Sequence, residues 1–206
     1  MLAGWRIKDL NYPQPLLYNS LSSLYLQTGD TTAALNVILE GKSKYPDDFN
    51  ILIAETNIYL ASGQNEKAMA NLQEAIEKDP TNPTIYYAIG VNYAQIDDIE
   101  NAEKSYKKAV ELRPDYFEAN YNLGALYVNQ AAMLLEEANA LPFSQQAEYE
   151  ALKKQANDKL SLSLPYLEKA IELDPSDRNT LLSLKEIYTR LEMYDKMKEV
   201  NELLNE

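Results

Sequence analysis

Hydrophobic residues recur along this chain at the three- and four-residue spacing of amphipathic helices. Leu17, Leu21 and Leu24 form such a stripe near the start, and Ile85 and Ile89 begin another further along. Residues at this spacing share one face of an α-helix. The pattern therefore predicts a series of helices that each bury one face.

The helical pattern itself repeats with a period of 34 residues. Four tyrosines lie in one register: Tyr25, Tyr59, Tyr93 and Tyr127. Alanines and prolines follow the same period: Ala34, Ala68 and Ala102, then Pro46, Pro80 and Pro114. Small residues let two helices approach closely, and proline ends a helix because it lacks the backbone N–H. Each period therefore predicts a hairpin of two helices, with turns at Gly29 and Gly63 in the first two.

The third period resembles the tetratricopeptide repeat (TPR) family at every signature position. The matching residues are Tyr86, Ile89, Gly90, Tyr93, Ala102, Tyr106, Ala109 and Pro114. The first period departs from the signature at Ser22 and Gly41, and the second departs at Glu55 and Thr56. The resemblance implies an all-α, right-handed superhelical solenoid of antiparallel helix pairs, in which the first helix of each pair lines a concave groove.

The predicted solenoid covers residues 15–206 and contains one enlarged hairpin. Its predicted repeats are 15–48, 49–82, 83–116, 117–177 and a capping repeat at 178–206. In the fourth repeat, Leu167, Ala170 and Pro175 come 27 residues late, so we expect both helices of that hairpin to be longer by about 13 residues, or about 20 Å.

The two ends of the chain receive separate interpretations. Residues 1–14, with Trp5, Ile7 and Leu10, are interpreted as a cover for the first repeat or a remnant of a preceding one. The last predicted helix carries charged residues on its outer side, as a terminal repeat facing water requires: Lys196, Lys198, Glu199 and Glu202.

Composition excludes several classes of function. The formal net charge of −13 disfavours nucleic acid, because phosphate groups would be repelled. No run of apolar residues is long enough for a membrane span, and residues 1–14 lack the continuous apolar core of a signal peptide. Histidine and cysteine are absent, which excludes the usual catalytic triads and nearly all zinc sites. We therefore expect no enzyme activity, no metal and no cofactor. The absence of cysteine leaves the compartment open, with a small preference for an exported protein.

The resemblance directs attention to the first helices as a peptide-binding groove. In the windows 15–28, 49–62, 83–96 and 117–130 the only charged residues are Glu55 and Glu118. The groove residues expected to contact a peptide are amides, hydroxyls and tyrosines: Asn19, Ser23, Gln27, Asn50, Asn57, Thr84, Tyr87, Gln95, Tyr121, Asn122 and Asn129. Family members that clamp a terminal carboxylate use lysine and arginine here. The sequence therefore predicts a scaffold or adaptor that binds an extended, uncharged peptide of a partner protein.

The enlarged hairpin offers an alternative surface. Two stripes are expected to face each other: Val128, Ala131 or Ala132, Leu135 and Ala138 on the outgoing helix, and Tyr149, Leu152, Ala156 and Leu160 on the returning one. Met133, Leu134 and Phe143 lie outside these stripes. They suggest a small apolar contact, either for a partner or for a second copy in a self-assembling structural element.

Overall fold

A computed structural model describes residues 15–205, and all regular structure in that range is helical. The helices in this range are α1 (Pro15–Gln27), α2 (Thr31–Lys44), α3 (Phe49–Ala61), α4 (Asn65–Lys78), α5 (Pro83–Gln95), α6 (Ile99–Leu112), α7 (Phe117–Ala140), α8 (Gln146–Leu173), α9 (Arg178–Arg190) and α10 (Tyr194–Asn205). A short 3₁₀ helix, Phe143–Gln145, precedes α8. The prediction of an all-α fold is confirmed, whereas the interpretation of residues 1–14 lies outside the described residues.

Polar side chains determine where several of the helices begin. Four aspartates accept a hydrogen bond from the backbone N–H three residues later, and so cap α2, α3, α6 and α9: Asp30, Asp48, Asp98 and Asp177. Asn82 caps α5, with Pro83 as its first residue. These caps satisfy N–H groups that have no partner inside the helix.

The chain divides into two compact units, one ending at Asp97 and the other beginning at Asp98. The boundary falls inside the repeat predicted at residues 83–116. In unit 1, α1 pairs with α2 and α3 with α4, and α5 packs against α4. The first helices α1, α3 and α5 lie side by side. Unit 1 therefore has the paired arrangement that the sequence predicts.

The small residues of the register lie where helices approach closely. Ala34, Ala68 and Ala102 are fully buried. Gly41, which departs from the signature, faces Tyr18, and a Cβ at position 41 would lie 2.8 Å from the Tyr18 Cγ. The departure at Gly41 is thus explained by the large Tyr18 side chain that the first hairpin encloses.

The tyrosines of the register serve mainly in packing. Tyr59 and Tyr127 are buried, and Tyr25 and Tyr93 pack against apolar clusters of unit 1. The hydroxyl of Tyr127 donates a hydrogen bond to Glu103 at 2.8 Å. Burial is the main cause that raises the pKa of Tyr127 to about 12, so this hydroxyl keeps its proton at neutral pH.

Glu55 is a buried carboxylate that unit 1 neutralises internally. It lies on α3 and is 4% exposed. The Lys42 ammonium donates to its Oε2 at 2.7 Å, and the Tyr59 hydroxyl donates to its Oε1 at 3.1 Å. An unpaired buried charge would be strongly destabilising, so the α2 lysine compensates for the departure from the signature on α3.

Unit 2 contains the enlarged hairpin formed by α7 and α8. These helices have 24 and 28 residues, compared with 13 and 14 for α1 and α2. Of the two alternatives on α7, Ala131 is buried and Ala132 is exposed. Ala138 and three residues of the α8 stripe are also buried: Leu152, Ala156 and Leu160. The predicted lengthening of both helices and the pairing of their apolar stripes are confirmed.

The base of the enlarged hairpin is held by a close contact at Gly124 of α7. A Cβ added there would lie 2.6 Å from both the Cγ and the Cδ2 of Leu167 on α8. Leu167 is itself fully buried. The close packing of α7 against α8 therefore requires a residue without a side chain at position 124.

At the end of the described chain, α9 and α10 pack as a final hairpin. Val200 of α10 is buried against α9 residues such as Ile187. The charged residues predicted for the outer side of α10 are exposed: Lys196, Lys198, Glu199 and Glu202. The predicted polar outer side is confirmed.

We expect Gly124→Ala to destabilise the protein. Overpacking costs about 1–3 kcal/mol, and the better helix propensity of alanine offsets only about 1 kcal/mol. Urea unfolding followed by circular dichroism will measure the change, with the exposed substitution Asn36→Ala on α2 as control. A Gly124→Ala variant as stable as the wild type would contradict the close packing described.

Candidate functional site

The exposed sides of α1, α3 and α5 form one surface of unit 1, called here the unit 1 face. Eight of the predicted groove residues lie on these helices. Five are exposed (Ser23, Gln27, Asn50, Asn57 and Gln95) and three are half-buried (Asn19, Thr84 and Tyr87). The structure thus brings these side chains onto three neighbouring helices.

The unit 1 face carries no exposed charge. Among all residues of α1, α3 and α5, Glu55 is the one ionisable acidic or basic side chain other than tyrosine. It points away from solvent and pairs with Lys42. The whole chain carries a formal net charge of −13, so the lack of charge is a property of this face and not of the protein surface in general.

One amide on this face has an unused acceptor. The side-chain oxygen of Asn19 is buried and accepts no hydrogen bond within the described residues. A buried polar atom without a partner costs about 1–3 kcal/mol, and a bound donor would recover this cost once the Asn19 side chain rotated to expose its oxygen. An extended peptide provides such donors in its backbone N–H groups.

Unit 2 holds the remaining predicted groove residues on α7. Tyr121 and Asn122 are half-buried, and Asn129 is exposed. The Tyr121 ring stacks on Phe117 one turn earlier, with centroids 6.1 Å apart and planes inclined by 12°. This stacking fixes the orientation of the Tyr121 ring.

The prediction from sequence omitted a surface on α9 in the same unit. A cleft of about 510 Å³ is lined by Leu182, Lys185, Glu186, Thr189 and Arg190. With the insertion allowed for, Leu182 falls at the repeat position of Tyr121 on α7. The register could therefore have identified this helix. Its charged residues show that the lack of charge found on the unit 1 face does not extend to α9.

A larger cleft of unit 1 lies away from the predicted groove residues. It has a volume of about 910 Å³ and lies between α4 and α5, where Asn65, Met69 and Ile96 contribute to its lining. The Asn92 amide donates to the Asn65 carbonyl at 3.1 Å, while the Asn65 side-chain oxygen has no partner among the described residues. None of the predicted groove residues lines this cleft.

The end of the α7–α8 hairpin forms a further surface. Phe143 is fully exposed, and a cleft of about 360 Å³ beside it is lined in part by Leu141, Pro142 and Tyr149. Met133 is also exposed, but Leu134 packs against the core of unit 2. Of the three residues proposed for a second surface, Leu134 therefore contributes mainly to the core.

The described residues contain neither a membrane-spanning helix nor a metal-binding cluster. None of the helices there combines the length and the apolar character that crossing a membrane requires. Residues 15–205 also contain no cluster of three acidic side chains arranged to hold a metal ion.

Comparisons with known proteins agree with the repeat register. The family model described as the TPR repeat matches residues 57–97 and 92–130. The BBSome complex member BBS4 of Mus musculus is 27% identical over 157 residues, covering 76% of this chain. A UDP-N-acetylglucosamine–peptide N-acetylglucosaminyltransferase of Giardia intestinalis is 33% identical over 97 residues, covering 47% of this chain.

A solved structure supports the same fold. The crystal structure of MamA protein superposes with a TM-score of 0.61 at 18% identity, and the match covers 92% of this chain and 89% of MamA. By contrast, this chain spans only 28% of the length of mouse BBS4 and 7% of the transferase. The paired helices, the 34-residue register and the two matched segments together show that residues 57–130 of this chain are tetratricopeptide repeats.

Proposed function

We propose that this chain is a scaffold that binds an extended, uncharged segment of a partner protein on the unit 1 face. TPR proteins are in general protein-interaction scaffolds. Their helix pairs supply broad surfaces and no catalytic groups of their own. What distinguishes this chain within the family is the chemistry of the exposed residues on α1, α3 and α5.

The observation that carries the proposal is the absence of exposed charge on the unit 1 face. Side-chain amides such as Asn50 and Asn57 can both donate to and accept from a peptide backbone. Tyr87 adds an aromatic side chain, a residue type enriched among the strongest contacts of interfaces. A peptide rich in neutral residues would bury no unpaired charge on this surface.

The same chemistry argues against recognition of a terminal carboxylate by this face. A carboxylate is usually bound by lysine or arginine, which supply charged donors. The unit 1 face offers neither residue type, since α1, α3 and α5 contain none. The proposed ligand is therefore an internal, uncharged stretch of a polypeptide.

The two relatives, BBS4 and the Giardia transferase, differ in how strongly they support a scaffold role for this chain. BBS4 is named as a member of a complex, which agrees with a protein-binding role for the similar segment. The Giardia relative is an enzyme, but the similar segment is 7% of its length. Because this chain contains no histidine and no cysteine, we propose a non-enzymatic role.

A second candidate function is self-association through the hairpin end. Its supporting observation is the fully exposed Phe143 beside the cleft of about 360 Å³. A large exposed aromatic residue is a common anchor of protein interfaces. A second copy would place its own Phe143 in this cleft in a symmetric contact.

We expect the substitution Tyr87→Ala to weaken the binding of peptides selected from a library by about tenfold, since an aromatic anchor contributes about 1–2 kcal/mol. Fluorescence polarisation of the selected peptides will measure this effect. The matched control is Tyr194→Ala, which removes an exposed tyrosine of α10. Equal affinity of the Tyr87→Ala variant and the wild type would contradict binding on the unit 1 face.

If self-association operates, Phe143→Ser should lower the molar mass that light scattering measures at high protein concentration, because the apolar anchor is lost. Leu162→Ser, which alters an exposed leucine of α8 outside the proposed surface, is the matched control. A wild-type molar mass that stays monomeric across the concentration series would rule out this second function.

A further inference from the structure

Two cations of α9 that lack an anionic partner line the same cleft of unit 2. Lysines on α2, α4, α6, α8 and α10 pair with carboxylates of the chain, as Lys104 does with Glu100 at 2.6 Å. Lys185 and Arg190 form no ion pair with any residue between 15 and 205, and both line the cleft of about 510 Å³ on α9, called here the α9 cleft. This cleft therefore presents positive charge that the described chain does not itself neutralise.

The repeat register shows that both cations depart from the residue types of the other first helices. With the insertion allowed for, Lys185 falls at the position of Gly90 on α5 and Gly124 on α7. Arg190 falls at the position of the amide Asn129 on α7. Lys185 is half-buried and Arg190 is exposed. The last first helix thus offers cations where the preceding ones have glycine or an amide.

The residues of the α9 cleft form an apolar strip with one cation on each side. At 3.6 residues per turn, Leu182 and Thr189 lie within about 20° of each other around the helix axis, with Lys185 about 60° to one side and Arg190 about 80° to the other. Leu182 is 48% exposed. The Thr189 hydroxyl already donates to the backbone carbonyl of Lys185 at 2.7 Å. The groups left for a ligand are therefore the leucine side chain and the two cations.

The spacing of these groups along α9 matches an extended peptide. From Leu182 to Arg190 the helix rises about 12 Å, with Lys185 between them. In an extended chain, three alternate side chains on one side span about 13 Å, at about 3.3 Å per residue. One apolar and two acidic side chains at alternate positions would therefore lie opposite Leu182, Lys185 and Arg190.

We propose that the α9 cleft binds an extended acidic segment of a partner polypeptide, whose apolar side chain contacts Leu182 and whose two carboxylates pair with Lys185 and Arg190. Hydrogen bonds between ionised groups are stronger than neutral ones, and a guanidinium can bind a carboxylate through two of them. The inference stands apart from the proposed function, because every residue in it belongs to unit 2 and the ligand is charged.

The net charge of −13 does not prevent such an acidic segment from binding. At physiological ionic strength, charges more than about 8 Å from the cleft are largely screened. Glu186 is the one acidic residue that lines the α9 cleft, and it forms no ion pair with Arg190 one turn later, within the part of the chain that is described. Its carboxylate opposes an acidic ligand locally, so its removal should strengthen binding.

A nucleic acid fits the α9 cleft less well than an acidic peptide does. Its phosphates recur along the whole strand and would meet the acidic surface beyond the two cations. It also lacks an aliphatic side chain to cover Leu182. The apolar strip between the cations therefore favours a polypeptide.

Fluorescence polarisation with a labelled peptide, Leu-Ser-Glu-Ser-Glu with both ends blocked, tests the proposal without offering a terminal carboxylate. Lys185→Gln and Arg190→Gln should each weaken binding about threefold, and the double variant about tenfold, because exposed charge pairs contribute modestly and nearly additively. The matched control is Lys198→Gln, which removes the same charge from an exposed site on α10 and should leave the affinity unchanged.

Two further variants separate recognition from loss of folding. Glu186→Gln should tighten binding of the acidic peptide about twofold or more, an effect that unfolding cannot produce. Leu182→Ser should weaken it, and a peptide with glutamine in place of both glutamates should bind at least about tenfold more weakly than the acidic one. The uncharged peptide selected for the unit 1 face should bind the Lys185→Gln, Arg190→Gln variant as it binds the wild type.

Four results would overturn the proposal. They are equal affinity of the double variant and the wild type, an equal loss in Lys198→Gln, tighter binding of a single-stranded oligonucleotide than of the acidic peptide, and concentration-dependent self-association that the double variant abolishes, which would indicate a second copy in the cleft. Loss of the acidic peptide alone would leave the unit 1 face proposal standing, since the uncharged peptide tests that face separately.

Discussion

The structure depends on the requirement that each helix pair must bury apolar surface against its neighbour. A single helical hairpin leaves one side of its first helix uncovered, and stacking supplies the missing partner. In α3, α5, α7 and α9 this side is buried, at positions that include Ile51, Ile85, Leu123 and Leu184. The same requirement explains the fully buried alanines and the close contacts at Gly41 and Gly124.

This constraint separates the surfaces that hold the fold together from those that remain for binding. One side of each first helix faces its own second helix and another faces the preceding pair. The side that remains exposed is the one on which the amides and hydroxyls of unit 1 are found. Glu55 illustrates the separation, because the register places it on a packing side, where Lys42 and Tyr59 satisfy its carboxylate. The unit 1 face consequently lies in an acidic protein without being acidic itself.

Much of this architecture could be predicted from sequence because the register repeats. The helix pairs and the lengthening of α7 and α8 follow from spacing alone. The partner of Glu55 could not be predicted, since it depends on which α2 residue lies opposite it in three dimensions. The packing of Leu134 against the core of unit 2 likewise depends on the rotation of α7 about its axis, which sequence spacing determines only approximately. The α9 cleft was accessible from the register but was missed, because the insertion displaced it from the simple 34-residue period.

The claim that uncharged chemistry governs recognition on the unit 1 face is tested most directly by the salt dependence of peptide binding. Isothermal titration with a library-selected peptide should give a dissociation constant that changes by less than about twofold between about 50 and about 500 mM NaCl, because no exposed charges on this face are available to be screened. An Asn57→Asp variant, titrated with a peptide carrying an added lysine, should acquire a clear salt dependence. A wild-type affinity that falls by about tenfold or more over the same range would contradict the account, since it would require charge pairs that the unit 1 face does not possess.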